Sequence, residues 1–575
     1  MTFSFTVTAI DWWRITPELA VFGAALLVLM ADLVVPEGRK GWLAILSLLG
    51  LAGGYAATIS LYTAGNGFSS SANGLEAFNN MISADYIALF GYLVILSAST
   101  LAMLMSPAYL KRQGIRHQGE YYALMLLATS GMMLMAAATN LMTIFLGLEL
   151  LSLALYILSG FVATRFKSQE AGMKYFLLSS FASAFLLYGM ALVYGSTGST
   201  ALTTIGAFLR GPRAPAAQIH GPFGFAPLLG LGMGLLAVGF AFKVSAIPFH
   251  AWTPDVYEGA PTTVTAFMSV GTKAAAFLAL ARTFMLALHT LQNEWSGTLW
   301  AIAVVTMILG NLMVVAQTDV KRLLAYSSIA HAGYMLVGIV VNTQLGLSAV
   351  LFYLMAYAFM NVGAFGIVLA LEHHGGAGTN LRDYAGLKRT HPLLAATMAL
   401  FMFALAGVPG TVGFMAKYYI FYAAIQGGHL DLAIIGLVSS VFGFFYYLRV
   451  VFVMYGREPA AATEAEPAAD RVPAPVGAPP TDMPAEAASA STPARYTAIS
   501  LVDSPEVPAS GTTSVALPEF PAAAPGAASG ISGIQAVAPS VSLALLLAAI
   551  LAIGLGIAPA GITILAHSPL LGLVP

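Results

Sequence analysis

Four charged side chains lie inside long apolar segments of this 575-residue chain. They are Glu149, Lys243, Lys273 and Lys417. On a membrane-insertion scale each costs about 2.5 to 3.5 kcal/mol at the centre of a span, or about 10 to 14 kcal/mol together. One glutamate cannot neutralise three lysines, which disfavours the alternative of an inert network of buried ion pairs. We therefore predict that these residues have a function.

The chemistry that these residue types support is proton transfer. Burial disfavours the charged form of an amine, so a buried lysine can release its proton near neutral pH. A nearby carboxylate favours the charged form again. A glutamate–lysine pair that opens and closes therefore acts as a switch between holding a proton and passing it on, and such groups titrate as a coupled set.

Two of the lysines lie beside residues that break helices. Pro248 follows Lys243 by five positions, whereas Pro409 and Gly410 precede Lys417. Proline removes a backbone hydrogen bond and kinks or breaks a helix. Breaks at corresponding positions in two halves of a transporter are typical of a site near the middle of the membrane. The sequence therefore predicts broken helices at both positions.

Three further residues are secondary candidates. His250 lies seven positions after Lys243, two turns along one helix face if the helix continued, and is a candidate proton relay. His331 is either a second relay or a hydrogen-bonded core histidine. Lys174 is either a second partner for Glu149 or a side chain that extends to the interface.

Composition excludes several classes of protein. The chain is 58% hydrophobic and 9% charged, whereas soluble proteins are about 25% charged, so lipid surrounds most of it. It has no cysteine, which excludes disulfides, thiolate zinc sites and cysteine-bound iron–sulfur clusters. Its formal net charge of −1 disfavours nucleic acid as a partner.

Two motifs are set aside. Gly232, Gly234 and Ala237 fit a loose dinucleotide-binding pattern, but they lie in an apolar span with no preceding strand, so small-residue helix packing explains them better. His373 and His374 are adjacent in a glycine-rich loop, and this arrangement does not indicate a metal site. We predict no metal ligands.

Fourteen apolar runs are long enough to cross about 30 Å of hydrocarbon. They lie at 17–35, 42–63, 84–106, 119–138, 140–163, 170–195, 226–250, 262–288, 296–316, 323–341, 344–371, 392–426, 430–455 and 540–566. The predicted fold is an all-α polytopic membrane protein with both termini on one side of the membrane.

The distribution of positive charge predicts the orientation. If the first span runs inward, the inner loops hold fifteen of the twenty-four Lys and Arg residues. The outer segments hold Arg14, Arg210 and Arg213. Because cytoplasmic loops collect Lys and Arg, both termini are expected to face the periplasm of a bacterial inner membrane.

The spans divide into segments. We expect a three-helix segment at 1–118, two five-helix repeats at 119–288 (spans 4–8) and 296–456 (spans 9–13), and a final helix at 540–575. Because each repeat has an odd number of helices, the second repeat starts on the opposite side of the membrane and the two repeats are inverted. Residues 457–539 hold fourteen of the twenty-nine prolines and are predicted to be a disordered cytoplasmic linker, either a tolerated insertion or a docking segment.

Five motifs resemble one family of membrane proteins. They are FKVSAIPFHAWTPDVYEGAPT (242–262), LGLELLSLALYILSGF (146–161), DVKRLLAYSSIAHAGYML (319–336), DYAGLKRTHP (383–392) and GFMAKYYIF (413–421). In order and spacing they resemble the antiporter-like subunits of bacterial NADH:quinone oxidoreductase, respiratory complex I, and among these the N subunits, whose mitochondrial counterpart is subunit 2. The resemblance covers nearly the whole chain except the 457–539 insertion.

This resemblance implies a subunit of a proton-translocating enzyme. It implies that Glu149 pairs with Lys243, that Lys273 leads the proton between two half-channels, and that Lys417 lies on the exit side. NADH, FMN, iron–sulfur clusters and quinone would bind to other subunits, and this chain would bind no cofactor. Its partners would be neighbouring antiporter-like subunits and the lipid bilayer.

Two other functions stay open at this point. Subunits of cation/proton antiporters share the helix plan and the buried Glu and Lys, although the WTPDVYEGAP and DYAGLKRTHP motifs argue against that class. A structural membrane scaffold with inert charge pairs is the other alternative.

Overall fold

The computed structural model describes residues 7–64, 76–211, 227–373, 376–456 and 537–559. Nearly all of this part is helical. In chain order the helices are α1 (Ala9–Arg14), α2 (Thr16–Val34), α3 (Gly41–Ala64), α4 (Tyr86–Arg112), α5 (Gln118–Ala137), α6 (Leu141–Ser159), α7 (Phe166–Thr197), α8 (Leu202–Arg210), α9 (Pro227–Val244), α10 (Trp252–Gly259), α11 (Thr262–Ala281), α12 (Gln292–Val315), α13 (Val320–Val341), α14 (Gln344–Leu371), α15 (Leu387–Thr390), α16 (Pro392–Ala406), α17 (Val412–Gln426), α18 (Leu430–Gly456) and α19 (Pro539–Ile557).

Short elements join these helices. A two-stranded antiparallel ribbon of β1 (Glu76–Ala77) and β2 (Ile82–Ser83) precedes α4. A π-helical turn, Arg282–Ala287, continues α11. Short 3-10 turns occur at Glu37–Arg39, His289–Leu291 and Leu381–Tyr384.

The membrane-spanning pattern confirms the sequence prediction of about fourteen spans. Within the described ranges thirteen helices are long and apolar enough to cross a membrane. The twelfth predicted span, 392–426, forms two short helices, α16 and α17, on either side of a break. The last helix ends at Ile557, nine residues before the end of the predicted 540–566 span.

Both predicted helix breaks are present. The chain leaves α9 at Val244 and starts α10 at Trp252, with Pro248 in the gap. The second gap separates α16 from α17, and Gly407 and Gly410 each adopt a φ of +88° there. Glycine tolerates this left-handed conformation because it lacks a Cβ.

Among the spans, α11, α13 and α14 are the most enclosed, and α11 carries Lys273. All the residues in the apolar windows of α11 and α14 are buried by the rest of the protein, and so are 94% of those in α13. By contrast α2, α3 and α19 are buried over only about a third of their length. Side chains on α11, α13 and α14 are therefore shielded from lipid by the protein itself.

Glycine packing explains part of the motif that mimics a dinucleotide site. A Cβ built on Gly232 would lie 3.2 Å from the carbonyl oxygen of Gly189, so α7 and α9 touch through their backbones. Gly234 has no such neighbour within 4 Å. The small-residue packing interpretation therefore holds for Gly232 and is wrong for Gly234.

The proline-rich segment lies mostly outside the described residues. Of the predicted 457–539 linker, the structure describes only 537–539, where α19 begins at Pro539. The division into an N-terminal segment and two inverted repeats stays a prediction.

Candidate functional site

Lys243 occupies the last turn of α9, just before the helix break. Its side chain is only 4% exposed. The ammonium nitrogen donates hydrogen bonds of 2.8 Å to the hydroxyls of Ser152 on α6 and Ser179 on α7. It also lies 5.7 Å from the ring centroid of Tyr175. Neutral oxygens and an aromatic face therefore solvate this buried amine.

Glu149 lies on the same face of α6 as Ser152 and Tyr156, at spacings of three and seven residues. One of its carboxylate oxygens, Oε1, is buried without a hydrogen-bond partner among the described residues. No ion pair joins it to Lys243 within the described ranges. The expected direct pair is therefore absent from this structure, in which two of the three ammonium donors of Lys243 bind the serine hydroxyls.

Lys273 lies in the middle of α11 and has no exposed surface. Its ammonium group donates to both the backbone carbonyl and the hydroxyl of Ser328 on α13. The ring of Tyr357 on α14 lies 5.9 Å away. As at Lys243, the ammonium ligands in the described structure are neutral oxygens.

Lys417 caps the broken end of α16. Its ammonium nitrogen donates hydrogen bonds of 2.8 Å to the carbonyl of Ala406 and the hydroxyl of Ser440. The last carbonyls of a helix lack intrahelical donors and carry a partial negative charge, which an ammonium group satisfies. The ring of Tyr334 lies 5.3 Å from the same nitrogen. Lys417 therefore satisfies a carbonyl that the helix break leaves free.

A stripe along α13 joins the Lys273 and Lys417 sites. Ser328, His331 and Tyr334 follow one another at intervals of three residues and therefore share a helix face. Ser328 contacts the first lysine and Tyr334 the second. His331 between them is hydrogen-bonded to the hydroxyls of Tyr353 (2.6 Å) and Tyr447 (3.0 Å).

Aromatic side chains extend the line toward Lys243. Tyr175 stacks on Trp252 at a centroid distance of 4.7 Å, and Trp252 contacts Tyr257 edge-on at 6.1 Å. The hydroxyls of Tyr175, Tyr257 and Tyr357 are buried without a partner in the part of the chain that the structure describes. Buried hydroxyls that lack protein partners are normally satisfied by water. This region is therefore suited to water-mediated proton transfer.

Two secondary candidates lie elsewhere. His250 stands in the turn after the α9 break, half-buried, so the two-turn spacing from Lys243 that was expected for a continuous helix is lost. Lys174 forms ion pairs of 2.7 Å with Glu170 and Asp255. In this structure its ammonium group binds these two carboxylates, and its role as a second partner for Glu149 stays a prediction.

Comparison with known proteins identifies the family. Residues 138–443 match the family model described as NADH:quinone oxidoreductase/Mrp antiporter, TM. NADH-quinone oxidoreductase subunit N of Trichlorobacter lovleyi is 48% identical over 444 residues, 77% of this chain and 87% of that protein. The corresponding subunit of Chloroflexus aggregans is 45% identical over 79% of this chain and 90% of its own length. The chain belongs to the NADH-quinone oxidoreductase subunit N family.

Solved structures agree with this membership. A chain of respiratory complex I from Thermus thermophilus with bound aureothin superposes with a TM-score of 0.67, at 28% identity, over 95% of this chain and 98% of that one. A chain of the Mrp complex from Dietzia sp. superposes with a TM-score of 0.70 over 97% and 96%. Its identity of 18% shows a shared fold alone.

An ion-pair cluster on α10 was missed by reasoning from sequence. Arg322 of α13 binds Asp255 at 2.8 Å and Glu258 at 3.0 Å, and Lys167 binds Glu258 at 2.8 Å. Partial burial alone would raise the pKa of both acids, but Lys174 and Arg322 hold the pKa of Asp255 below its usual value, and Lys167 and Arg322 do the same for Glu258. The two acidic residues in WTPDVYEGAP could have indicated this ion-pair cluster, because they directly follow a broken span.

A buried acid at the end of α14 was also missed. Glu372 is 1% exposed and accepts hydrogen bonds from Arg165 at 3.2 Å and from Thr262 at 2.5 Å. Arg112 donates to the carbonyl of Leu369 nearby. Glu372 follows directly on the apolar 344–371 run, but its sequence position resembles an ordinary loop acid.

A buried ion pair joins α4 to the end of α11. Arg282 donates to both carboxylate oxygens of Asp85, at 2.8 and 2.5 Å, and to the carbonyl of Ala136 at 2.9 Å. Their side chains are 1% and 7% exposed. The two residues are 197 positions apart, so no local pattern predicts the pair.

The described residues contain no group of three or more His, Cys, Asp or Glu side chains close enough to hold a metal ion. His373 is described, whereas its neighbour His374 lies outside the described residues.

Proposed function

We propose that this chain is a membrane-arm subunit of a proton-pumping NADH:quinone oxidoreductase and that protons move along Glu149, Lys243, Lys273 and Lys417. NADH oxidation on FMN and iron–sulfur clusters, and quinone reduction, take place in other subunits. Their energy reaches this chain as rearranged charge pairs in the membrane, passed through the neighbouring antiporter-like subunits. The membership in the N-subunit family supports this role.

The observation that carries the proposal is how the three buried amines are held. Serine hydroxyls and carbonyl oxygens bind Lys243, Lys273 and Lys417, and no described carboxylate lies in ion-pair contact with any of them. Deprotonating one member of a buried ion pair strands the other charge, at a cost of several kcal/mol. An amine held by neutral oxygens loses its proton without stranding a counter-charge.

Glu149 supplies the switch in this scheme. Its carboxylate lies one helical turn from Ser152, which already binds Lys243. When the carboxylate moves to the ammonium group, it favours the protonated lysine, and when it withdraws, the proton can leave. His331 and the tyrosines on either side of it relay the proton between Lys273 and Lys417.

The two helix breaks fit a repeated architecture. We assign 119–288 and 296–456 to two inverted five-helix repeats, with Lys243 and Lys417 at corresponding breaks. Each of these lysines binds a serine on an adjacent helix. In the bacterial inner membrane both termini would face the periplasm and the 457–539 linker the cytoplasm.

The first test is whether the respiratory enzyme purifies with this chain. The chain is tagged and extracted gently, and NADH:quinone reductase activity is measured in the purified fraction together with the partner subunits. We expect activity and about a dozen partners. If the chain purifies alone and its vesicles exchange sodium for protons, it is an antiporter subunit and the proposal is wrong.

The second test is the variant Lys243→Ala in the intact complex. Proton pumping per NADH oxidised, measured by dye quenching in inverted membranes, should fall strongly while native gels show full assembly. Lys111→Ala is the matched control, because that lysine is exposed at the end of α4. Undiminished pumping by assembled Lys243→Ala complex would exclude this lysine from the relay.

A further inference from the structure

A cavity of about 740 Å³ opens at one end of the helix bundle. It lies between the inner half of α18, the α12–α13 turn and the loop that follows α14. Its walls include Thr318, Asn380, Arg382, Phe445, Arg449 and Phe452. This end of the bundle carries most of the chain's Lys and Arg and is the one predicted to face the cytoplasm.

The polar wall of the cavity is cationic. Arg449 is oriented by hydrogen bonds from its Nη1 atom to the carbonyls of Val315 (2.8 Å) and Gln317 (3.3 Å), so its remaining N–H donors have no partner among the described residues. The guanidinium group of Arg382 is exposed and makes no ion pair within the described ranges. The cavity therefore has two arginines whose charges the described chain does not neutralise.

Nearby acids are already engaged within their own loops. Asp319 caps α13 and accepts the hydroxyl of Thr379, and Asp383 accepts the backbone N–H of Asn380. Both carboxylates therefore stabilise the turns that form the wall. An anion from outside the chain is the complementary ligand for the arginines.

The other wall is aromatic and faces outward. Phe442, Phe445, Arg449 and Phe452 follow one another at spacings of three, four and three residues, so they form one stripe along α18. The three phenylalanines are 55%, 62% and 69% exposed. Exposed apolar side chains, of the kind that face lipid, therefore surround Arg449. The arginine lies at the level where α12 ends and α13 begins.

We propose that this cavity binds an anionic phospholipid of the inner leaflet. Its phosphate diester lies between Arg382 and Arg449, and its acyl chains run along Phe445 and Phe452. A guanidinium fork matches a phosphate group geometrically, and basic pockets on the cytoplasmic side of membrane helices are suited to lipid headgroups. Only a ligand that is both anionic and apolar complements both walls.

The test uses the intact, assembled complex in detergent. A phosphatidylglycerol that carries a diazirine in one acyl chain is added below saturation, activated by light and located by mass spectrometry of α18 peptides. We expect labelling near Phe445 and Phe452. Each of Arg382→Gln and Arg449→Gln should lower the labelling about fivefold. This factor corresponds to the binding free energy that one basic residue contributes at an anionic membrane surface.

Matched variants separate charge from folding. Arg39→Gln removes an exposed arginine that does not line the cavity and should leave labelling unchanged. Arg449→Lys keeps the charge and a donor for the α12 carbonyls, so it should retain most of the labelling. The Arg382 side chain makes no hydrogen bond or ion pair within the described residues, so the effect of Arg382→Gln reports on the ligand.

Competition identifies the source of the anion. Unlabelled phosphatidylglycerol should displace the probe, and phosphatidylcholine and inorganic phosphate should not. Equal displacement by inorganic phosphate would overturn the lipid assignment in favour of a free anion. Labelling that is unchanged in the Arg382→Gln/Arg449→Gln double variant would also overturn it.

Discussion

Gly407 leaves room for the side chain of Lys417. It ends α16 in a left-handed conformation, with φ at +88°, directly after the carbonyl of Ala406 that accepts the lysine's hydrogen bond. A Cβ at this position would lie 3.0 Å from Cδ and 3.3 Å from Nζ of Lys417. The substitution Gly407→Ala therefore perturbs the lysine without removing it.

The magnitude follows from these distances. Carbon atoms in contact prefer separations of about 3.5 to 4.0 Å, so the lysine stem must move by several tenths of an ångström. Its two hydrogen bonds of 2.8 Å would then lengthen toward the limit of bonding. Hydrogen bonds to charged groups contribute about 1.5 to 3 kcal/mol each. Loss of one of them corresponds to about a 10- to 100-fold change in the proton-transfer equilibrium.

Gly410→Ala is the matched control for this experiment. Gly410 has the same φ of +88°, but its Cβ would meet nothing within 4 Å. Both variants carry the backbone strain, about 1 to 2 kcal/mol for a left-handed residue, and only Gly407→Ala displaces the lysine. Protons pumped per NADH oxidised should therefore fall in Gly407→Ala and stay near wild type in Gly410→Ala. Equal ratios in the two assembled variants would refute the role assigned to the lysine's position.

Three further predictions concern other contacts. Ser179→Ala removes a hydroxyl that accepts a hydrogen bond from Lys243 and should reduce pumping, whereas Ser183→Ala on the same helix removes a hydroxyl without a partner among the described residues and should not; dye quenching in inverted membranes compares them. Asp85→Asn strands the buried Arg282 and should destabilise the chain by about 3 to 5 kcal/mol, which denaturant unfolding measures, and an Arg282→Met second change should recover part of the loss. Cations hold the pKa of Asp255 below its usual value, so its stabilisation is complete above the unfolded pKa of about 4 and is lost as the pH falls through the lower folded value. Asp255→Asn should therefore lower the unfolding temperature at pH 7, by the equivalent of about 1 kcal/mol or less because the site is partly exposed, and this difference should vanish below about pH 4.

Charge inside apolar runs was a strong local signal. Lys243, Lys273 and Lys417 stood out because membrane spans rarely carry charge, and the helix breaks followed from Pro248, Pro409 and Gly410. The structure agrees at each of these positions. Spans of about twenty apolar residues are likewise readable because hydrocarbon thickness fixes helix length.

The partners of these lysines had no comparable signal. Ser152, Ser179 and Ser328 lie 91, 64 and 55 residues from the amines that they bind. Serine is common in membrane helices, and nothing in its local sequence distinguishes a ligand from a packing residue. The expected Glu149–Lys243 contact came from the family resemblance, whereas the observed contacts depend on which helices are adjacent.

The sequence by itself determined the number of spans, the broken helices and the identity of the buried amines, because each depends on the free energy of single residues in lipid or in a helix. Only the tertiary structure decided that Lys174 binds Asp255, that Arg282 binds Asp85, and that α13 aligns its stripe between two lysines. Those contacts arise from helix packing between distant parts of the chain. Packing free energy is spread over many weak contacts, so no short motif specifies it.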